Sequence, residues 1–144
     1  MVRIDGEIII NRSADEVFDF VSDERNEPLY NPQLTLVEQV SAGPIGPGTQ
    51  FRAVARSGGR SVPMLIEFTV FERPVRLGSH TTMSSMITDG ELTFEPRDEA
   101  TLMRWSWTLR PTGALRLLTP LVAWMGRRQE KAVWSGLKRH LETQ

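Results

Sequence analysis

Apolar residues recur with two different periods along this chain of 144 residues, and the switches between them divide it into elements. From Val2 to Ile10, Ile4, Ile8 and Ile10 share one parity and Arg3, Asp5 and Glu7 the other, interrupted only by Ile9, which predicts a half-buried strand. Asn11 ends it. Ser13 followed three residues later by Glu16 forms a capping box, after which Ala14, Val17, Phe18 and Val21 return at helical spacing. Asp15, Glu16 and Asp19 suit the positive end of that helix, predicted over about 14–23. Between Glu24 and Pro32, Pro28 and Pro32 leave room for a turn or two only, so a second short helix or a tight bend follows.

Leu34, Leu36, Glu38 and Val40 then alternate against Thr35, Val37 and Gln39, and this strand runs into Gly43-Pro44-Ile45-Gly46-Pro47-Gly48. Five further strands are predicted over 49–57, 61–73, 75–83, 86–96 and 100–110, spaced as an antiparallel meander. Ser57-Gly58-Gly59-Arg60 is a hairpin turn, because glycine accepts positive φ. Val62, Met64, Ile66, Phe68 and Val70 share one strand face, and Met103, Trp105, Trp107 and Leu109 another. Pro120 stands at a first helical position with no later proline, which predicts a helix from Thr119 to about Leu141. Its apolar residues Leu121, Val122, Met125, Ala132, Val133 and Leu137 fall mostly on one side. The order is strand, two short helices, six strands and one long helix, with no linker or repeat, so residues 1–144 form a single domain of the α+β class.

A seven-stranded antiparallel sheet with one apolar face must bury it, and one long helix is available to cover it. The sheet should curl around that helix. A curved sheet cannot follow a straight helix along its whole length, so a cavity is expected between them. The inward parity lines it with Met64, Ile66, Phe68, Met83, Met86, Leu92, Phe94, Met103, Trp105 and Trp107, and the helix adds Val122 and Met125. Such a lining suits a greasy or aromatic small molecule, and equally a filled core.

Composition narrows the partners. Seventeen basic and 18 acidic residues leave a formal charge of −1, which does not provide the basic surface of a nucleic-acid binder. The absence of cysteine removes disulfides, thiolate metal sites and thiol nucleophiles. MVRIDGEIIIN lacks the features of a signal peptide, and the apolar-leaning segment 113–126 is broken by Arg116 and Pro120, too short for the ~20 residues of a membrane span. A soluble, cytoplasmic protein without stable membrane insertion is expected.

The entry segment NRSADEVFDFVSD followed by EPLYNP, the loop GPIGPG after the second strand and the closing helix ending in GLKRHLE together resemble the polyketide cyclase/dehydrase, START-like (Bet v 1-like) superfamily. The resemblance spans nearly the whole chain and rests on the order and spacing of motifs that are individually weak. Tyr30 departs from it, since many relatives carry Trp just before the Asn-Pro pair. The resemblance implies the helix-grip fold and hydrophobic-ligand binding in the cavity, with only some members catalysing cyclisation, dehydration or hydrolysis. It also implies that the glycine-rich loop shapes one mouth of the cavity.

No catalytic constellation stands out. The glycine-rich loop is not a phosphate loop, because Pro44 and Pro47 remove two amide donors and the loop joins strands. His80 and His140 are the only histidines and lack metal-ligand spacing, so no metal and no cofactor is expected. On the simplest register His80 points away from the cavity, which a bulge near Gly78 would reverse. Asp89 and Glu91 share a face with Thr93 and Glu95, opposite the buried parity, and read as a solvated surface. Glu38, among Leu36 and Val40, either faces inward with a partner such as Arg52 or stands in water at the cavity mouth. Tyr30 either donates to a ligand oxygen or staples the bend. Thr81, Thr88 and Gln129 are placed to hydrogen-bond an otherwise apolar guest. Trp105, Trp107, Trp124 and Trp134 form either an aromatic platform or core packing, and an outward Trp134 would create an exposed patch and a homodimer contact.

The reading that follows is binding of a small hydrophobic or aromatic molecule, such as a lipid, polyketide or isoprenoid-like compound. The first alternative is a cyclase or dehydratase using Tyr30, Glu38 or His80 on a bound carbonyl compound. The second is a non-catalytic protein-interaction module with a filled interior. A cavity above about 300 Å³ with convergent polar groups distinguishes the first two from the third, and a titratable group at its floor favours the enzyme.

Overall fold

In the computed structural model, which describes residues 1–144 apart from the side chain of Ser57, the alternating N-terminal segment forms β1 (Val2–Ile10). It is followed by α1 (Ala14–Val21), a 3₁₀ helix (Glu24–Leu29), and the strands β2 (Leu34–Gln39), β3 (Gln50–Ser57), β4 (Arg60–Glu72), β5 (Arg76–Met83), β6 (Met86–Arg97) and β7 (Ala100–Pro111). A second 3₁₀ helix (Gly113–Leu118) leads into α2 (Thr119–Glu142). The strands form one antiparallel sheet in the order β1-β7-β6-β5-β4-β3-β2. No helix is long and apolar enough to cross a membrane among the described residues.

This topology positions everything else. β1 and β2 lie on opposite edges of the sheet, so residues 11–33 must cross from one edge to the other. They do so as the two short helices. Ser13 caps α1, its Oγ accepting from the Glu16 amide at 3.2 Å, and Val17, Phe18 and Val21 are buried. A forked pair from Arg73 to Asp19, at 2.6 and 2.8 Å, ties α1 to the turn between β4 and β5. The predicted helix ends two residues early, because Asp23 turns away to cap the 3₁₀ helix by accepting from the Arg25 amide.

Most strand expectations hold to within a residue, and the Gly58-Gly59 turn has φ of 57° and 81° as expected. Two bulges shift parity. One between Leu34 and Leu36 leaves Leu36 and Val40 exposed and turns Val37 toward the core, reversing the predicted alternation. The other, between Phe68 and Val70, puts Phe71 rather than Val70 against Phe18. In β7 the expected alternation stands, and Met103, Trp105, Trp107 and Leu109 are buried. The two indoles lie over glycines on neighbouring strands. Trp105 pairs with Gly6 and Trp107 with Gly90, and a Cβ at either glycine would collide with the indole ring.

Helix α2 seats Val122, Ala123, Val133, Trp134, Leu137 and Leu141 in the core, with Gly126 against Leu109 and Ile4. Met125, expected inside, is 55% exposed, and Leu121 and Ala132 also face solvent. The first two turns of the helix are apolar on every side, so spacing alone did not fix which side the sheet would take. Trp134, an outward candidate, is buried at 5% exposure, and Trp124 is the indole that faces out. Gly136 permits a close approach of the helix to the crossing segment: a Cβ there would lie 2.5 Å from the Tyr30 carbonyl oxygen.

Ser13→Ala should lower stability by about 1 kcal/mol through loss of the cap. Gly136→Ala should cost about 1–3 kcal/mol, because backbone must move to admit the methyl group. Denaturant melts of both variants check this; an unchanged midpoint for the glycine variant would mean that α2 does not bear on the Tyr30 carbonyl.

Candidate functional site

α2 packs chiefly along β1, so it leaves the concave face of β3 to β6 less covered. A partly open cavity of about 200 Å³ lies there, bounded by Ala55, Met64, Ile66, Phe68, Leu77, Leu92 and Trp107 from the sheet and by Gln129, Glu130, Val133 and Trp134 from α2. Val21, Glu24, Glu27, Asn31 and Gln33 close it from the crossing segment, with Leu34 at the start of β2. Ser79, Thr81 and Met83 from β5 and Thr88 from β6 complete the lining, three of the four bearing hydroxyls. The Gln129 amide donates to Gln33 Oε1 at 2.8 Å between two exposed residues, which bridges α2 and the crossing segment at the rim.

The walls are mostly apolar, and one end is acidic. Glu24 and Glu27 come from the 3₁₀ helix and Glu130 from α2. Asn31 holds Glu27, donating from Nδ2 to its carboxylate at 2.9 Å, and the Glu27 carbonyl accepts the amides of Tyr30 and Asn31. Glu24 Oε2 is buried without a hydrogen-bond partner among the described residues. Burial, and then the charge of Glu27, push the Glu24 carboxyl well above the usual carboxylate range. The same two causes, burial first, raise Glu130 to about 8. The approach of the Trp107 indole N–H opposes that rise but falls short of ordinary hydrogen-bond geometry. Trp107 and Trp134 both line the cavity, both are more than nine-tenths buried, and neither Nε1 has a partner among the described residues. No arginine, lysine or histidine is among the lining residues.

Several residues singled out from sequence reach the cavity: Met64, Ile66, Phe68, Thr81, Met83, Thr88, Leu92, Trp107 and Gln129. Others do not. Phe94, Met103 and Trp105 are packed within the core, Met103 completely, and Val122 is buried against the sheet outside the cavity. Met86 is only partly buried beside the core, and Met125 faces solvent. Tyr30 is buried between Phe20 and Trp134, the stapling role rather than a wall of the cavity. Burial, followed by the charges of Glu27, Glu24 and Glu130, drives its phenol well above the usual range, so it stays protonated.

None of the three catalytic candidates lines the cavity. Glu38 stands outside on β2 and pairs with Arg52 at 3.3 Å, because the bulge after Leu34 turned its parity outward. His80 points away from the cavity and pairs with Asp89 across β5 and β6, its alternation unbroken because the nearby bulge lies on β4. Asp89 also faces Arg110, and Glu91 is bridged by Arg76 at 2.8 Å, so this row is the paired outer surface expected of it. The glycine-rich loop lines no part of the cavity. It folds back onto β4, where the Gly48 amide donates to the Phe68 carbonyl at 2.8 Å. Among the described residues no cluster of acidic or histidine side chains could hold a metal ion.

Glu24, Glu27 and Glu130 were not anticipated. In sequence the first two sit among polar residues of a surface-like segment, and Glu130 sits in a basic stretch of helix. A faint signal existed: Glu130 lies three residues before buried Val133 and on its side of the helix.

No curated protein matches the sequence. Similar solved structures include a protein of Thermus thermophilus, 21% identical with a TM-score of 0.85, covering 99% of this chain and 98% of that one. A START superfamily protein of Mycobacterium smegmatis is 14% identical with a TM-score of 0.86, covering 98% and 97%. The Zhui aromatase/cyclase from a Streptomyces species is 14% identical with a TM-score of 0.81, covering 98% and 93%. At these identities the likeness establishes the helix-grip fold, as the sheet order and closing helix do independently. Residues 1–142 match the family described as polyketide cyclase/dehydrase and lipid transport, and the chain therefore belongs to that family.

Proposed function

We propose that the cavity receives a compact, mainly apolar molecule whose polar end is a hydrogen-bond donor or a cation. The single observation that supports this is the division of the lining: aliphatic and aromatic walls on the sheet, and Glu24, Glu27 and Glu130 at one end with no basic side chain beside them. Burial of apolar surface would supply about 25 cal/mol per Å², and the carboxyls would fix orientation. An anionic headgroup is disfavoured at that end, since it would face like charge in a poorly solvated site. The volume of about 200 Å³ falls below the ~300 Å³ set above to separate a ligand site from a filled interior, so the proposal rests on the polar groups that converge there and not on size. A single- or double-ring compound suits it, and a longer polyketide or isoprenoid chain requires α2 and the crossing segment to separate at the Gln33–Gln129 bridge.

A second reading is favoured by one specific feature. Glu130, raised to about 8 and lining the cavity, is divided between its protonated and ionised forms near neutral pH and so is suited to give or take a proton. That property would serve a cyclase or dehydratase acting on a bound carbonyl compound, with Glu130 in the role first assigned to Tyr30, Glu38 or His80.

Calorimetric titration with 1-naphthylmethylamine, 1-naphthalenemethanol and 1-naphthoate tests the binding proposal. The amine should bind most tightly and the naphthoate least, and Met64→Trp should weaken binding of the amine and the alcohol alike by filling the space. Tightest binding by the naphthoate, or indifference to Met64→Trp, would count against it.

Glu130 also makes a prediction about stability. Its folded value of about 8 lies above the ordinary 4.5, so the folded state holds the proton more firmly over that interval. The stabilisation is fully present below about pH 4.5 and is lost as pH rises through about 8, with a slope of at most ~1.4 kcal/mol per pH unit. Glu130→Gln should therefore flatten the decline and be more stable than the parent protein at pH 9. Thermal melts from pH 5 to about 9 read this directly; parallel curves for the two proteins would remove Glu130 from the account.

A further inference from the structure

The second 3₁₀ helix and the first turns of α2 carry a concentration of outward apolar side chains that nothing in the fold covers. Leu117 is 85% exposed, Trp124 57%, Met125 55%, and Leu118 and Leu121 48% each. On the other side of the same turns, Val122 and Ala123 are buried and Gly126 presses on Leu109 and Ile4. The segment is thus apolar on both sides, one side satisfied by the sheet and the other turned to water. Isolated exposed apolar residues need no explanation, but a contiguous group of this kind marks an interaction surface.

Charge says what kind. Between Gly113 and Gln129 the chain has Arg116, Arg127 and Arg128 and no acidic residue, although the whole protein carries a net charge of −1. The Arg128 guanidinium lies 5.5 Å from the Trp124 ring centre, over its face. Two-fold pairing of this patch with a second copy would bring like charges together, whereas an anionic surface neutralises them. Tryptophan beside arginine, with leucine and methionine projecting from one helix face, is the side-chain set that seats a helix in the interface of an anionic bilayer.

We propose that this surface docks on a membrane containing anionic phospholipid, with Leu117, Leu121, Trp124 and Met125 entering the interfacial layer and Arg116, Arg127 and Arg128 meeting the phosphates. The position has a consequence for the cavity. Leu121, Met125 and Gln129 are spaced four residues apart along one helix face, and Gln129 forms part of the cavity rim through its bridge to Gln33. Docking would therefore set the cavity mouth beside the lipid surface, where an apolar molecule can pass between bilayer and protein without crossing water. Docking itself does not depend on the ligand's identity.

Co-sedimentation of the full chain with vesicles tests it, using phosphatidylcholine alone and phosphatidylcholine mixed with phosphatidylglycerol. The expected result is binding to the mixed vesicles about tenfold or more stronger than to the neutral ones, diminishing as salt is raised. Leu121→Ser combined with Trp124→Ser should abolish binding to both. Arg127→Glu combined with Arg128→Glu should remove the preference for the anionic vesicles. All four residues are exposed, and circular dichroism melts serve to check that the variants fold. Equal binding to the two kinds of vesicle, no binding to either, or binding unaffected by the serine pair would overturn the proposal. So would sedimentation equilibrium showing a dimer that the serine pair dissociates, since the patch would then be covered by a second copy.

Discussion

A straight helix of 24 residues laid against a curved sheet can follow it on one side only, and here α2 follows β1. Gly126 and Gly136 set how close it comes, the first against Leu109 and Ile4, the second against the Tyr30 carbonyl. That seating leaves the concave side of β3 to β6 short of a partner. The space that results is the cavity, and its shape is inherited from the mismatch between a bent surface and a rod.

The crossing segment answers the same constraint from the other direction. Because β1 and β2 occupy opposite edges of the sheet, residues 11–33 are obliged to span it, and they bring a polar 3₁₀ helix up against α2. Carboxyl groups from both elements then share a poorly solvated end of the cavity. Their mutual repulsion and burial cost stability, which marks this end of the cavity as the candidate site. Trp107 and Trp134 reinforce that reading, since each presents a buried indole N–H with no partner among the described residues.

Membership of the family and the helix-grip architecture were legible because they depend on the order of elements, which periodicity reports well. Ser13 as the cap of α1, the Gly58-Gly59 turn and the Met103 to Leu109 alternation each carry a local physical signal, and each is found where that signal placed it. The site was legible only in its sheet half. Met64, Ile66, Phe68, Thr81, Met83, Thr88 and Leu92 follow strand parity into the cavity. Glu38 did not, because a single bulged residue after Leu34 reversed the parity of its strand. Met125 did not, because a segment apolar on all sides does not say which side the sheet will choose.

The amino-acid sequence by itself thus determined the elements, their order and the apolar face of the sheet, since these arise from interactions among residues a few positions apart. Tertiary structure alone decided that Glu24, Glu27 and Glu130 converge, that Tyr30 is sealed beneath Trp134, and that Trp124 rather than Trp134 meets solvent. Those outcomes depend on the rotation and seating of α2 across a sheet whose curvature is a property of seven strands together. Charges about 100 residues apart carry no mark of one another along the chain until that packing sets them face to face.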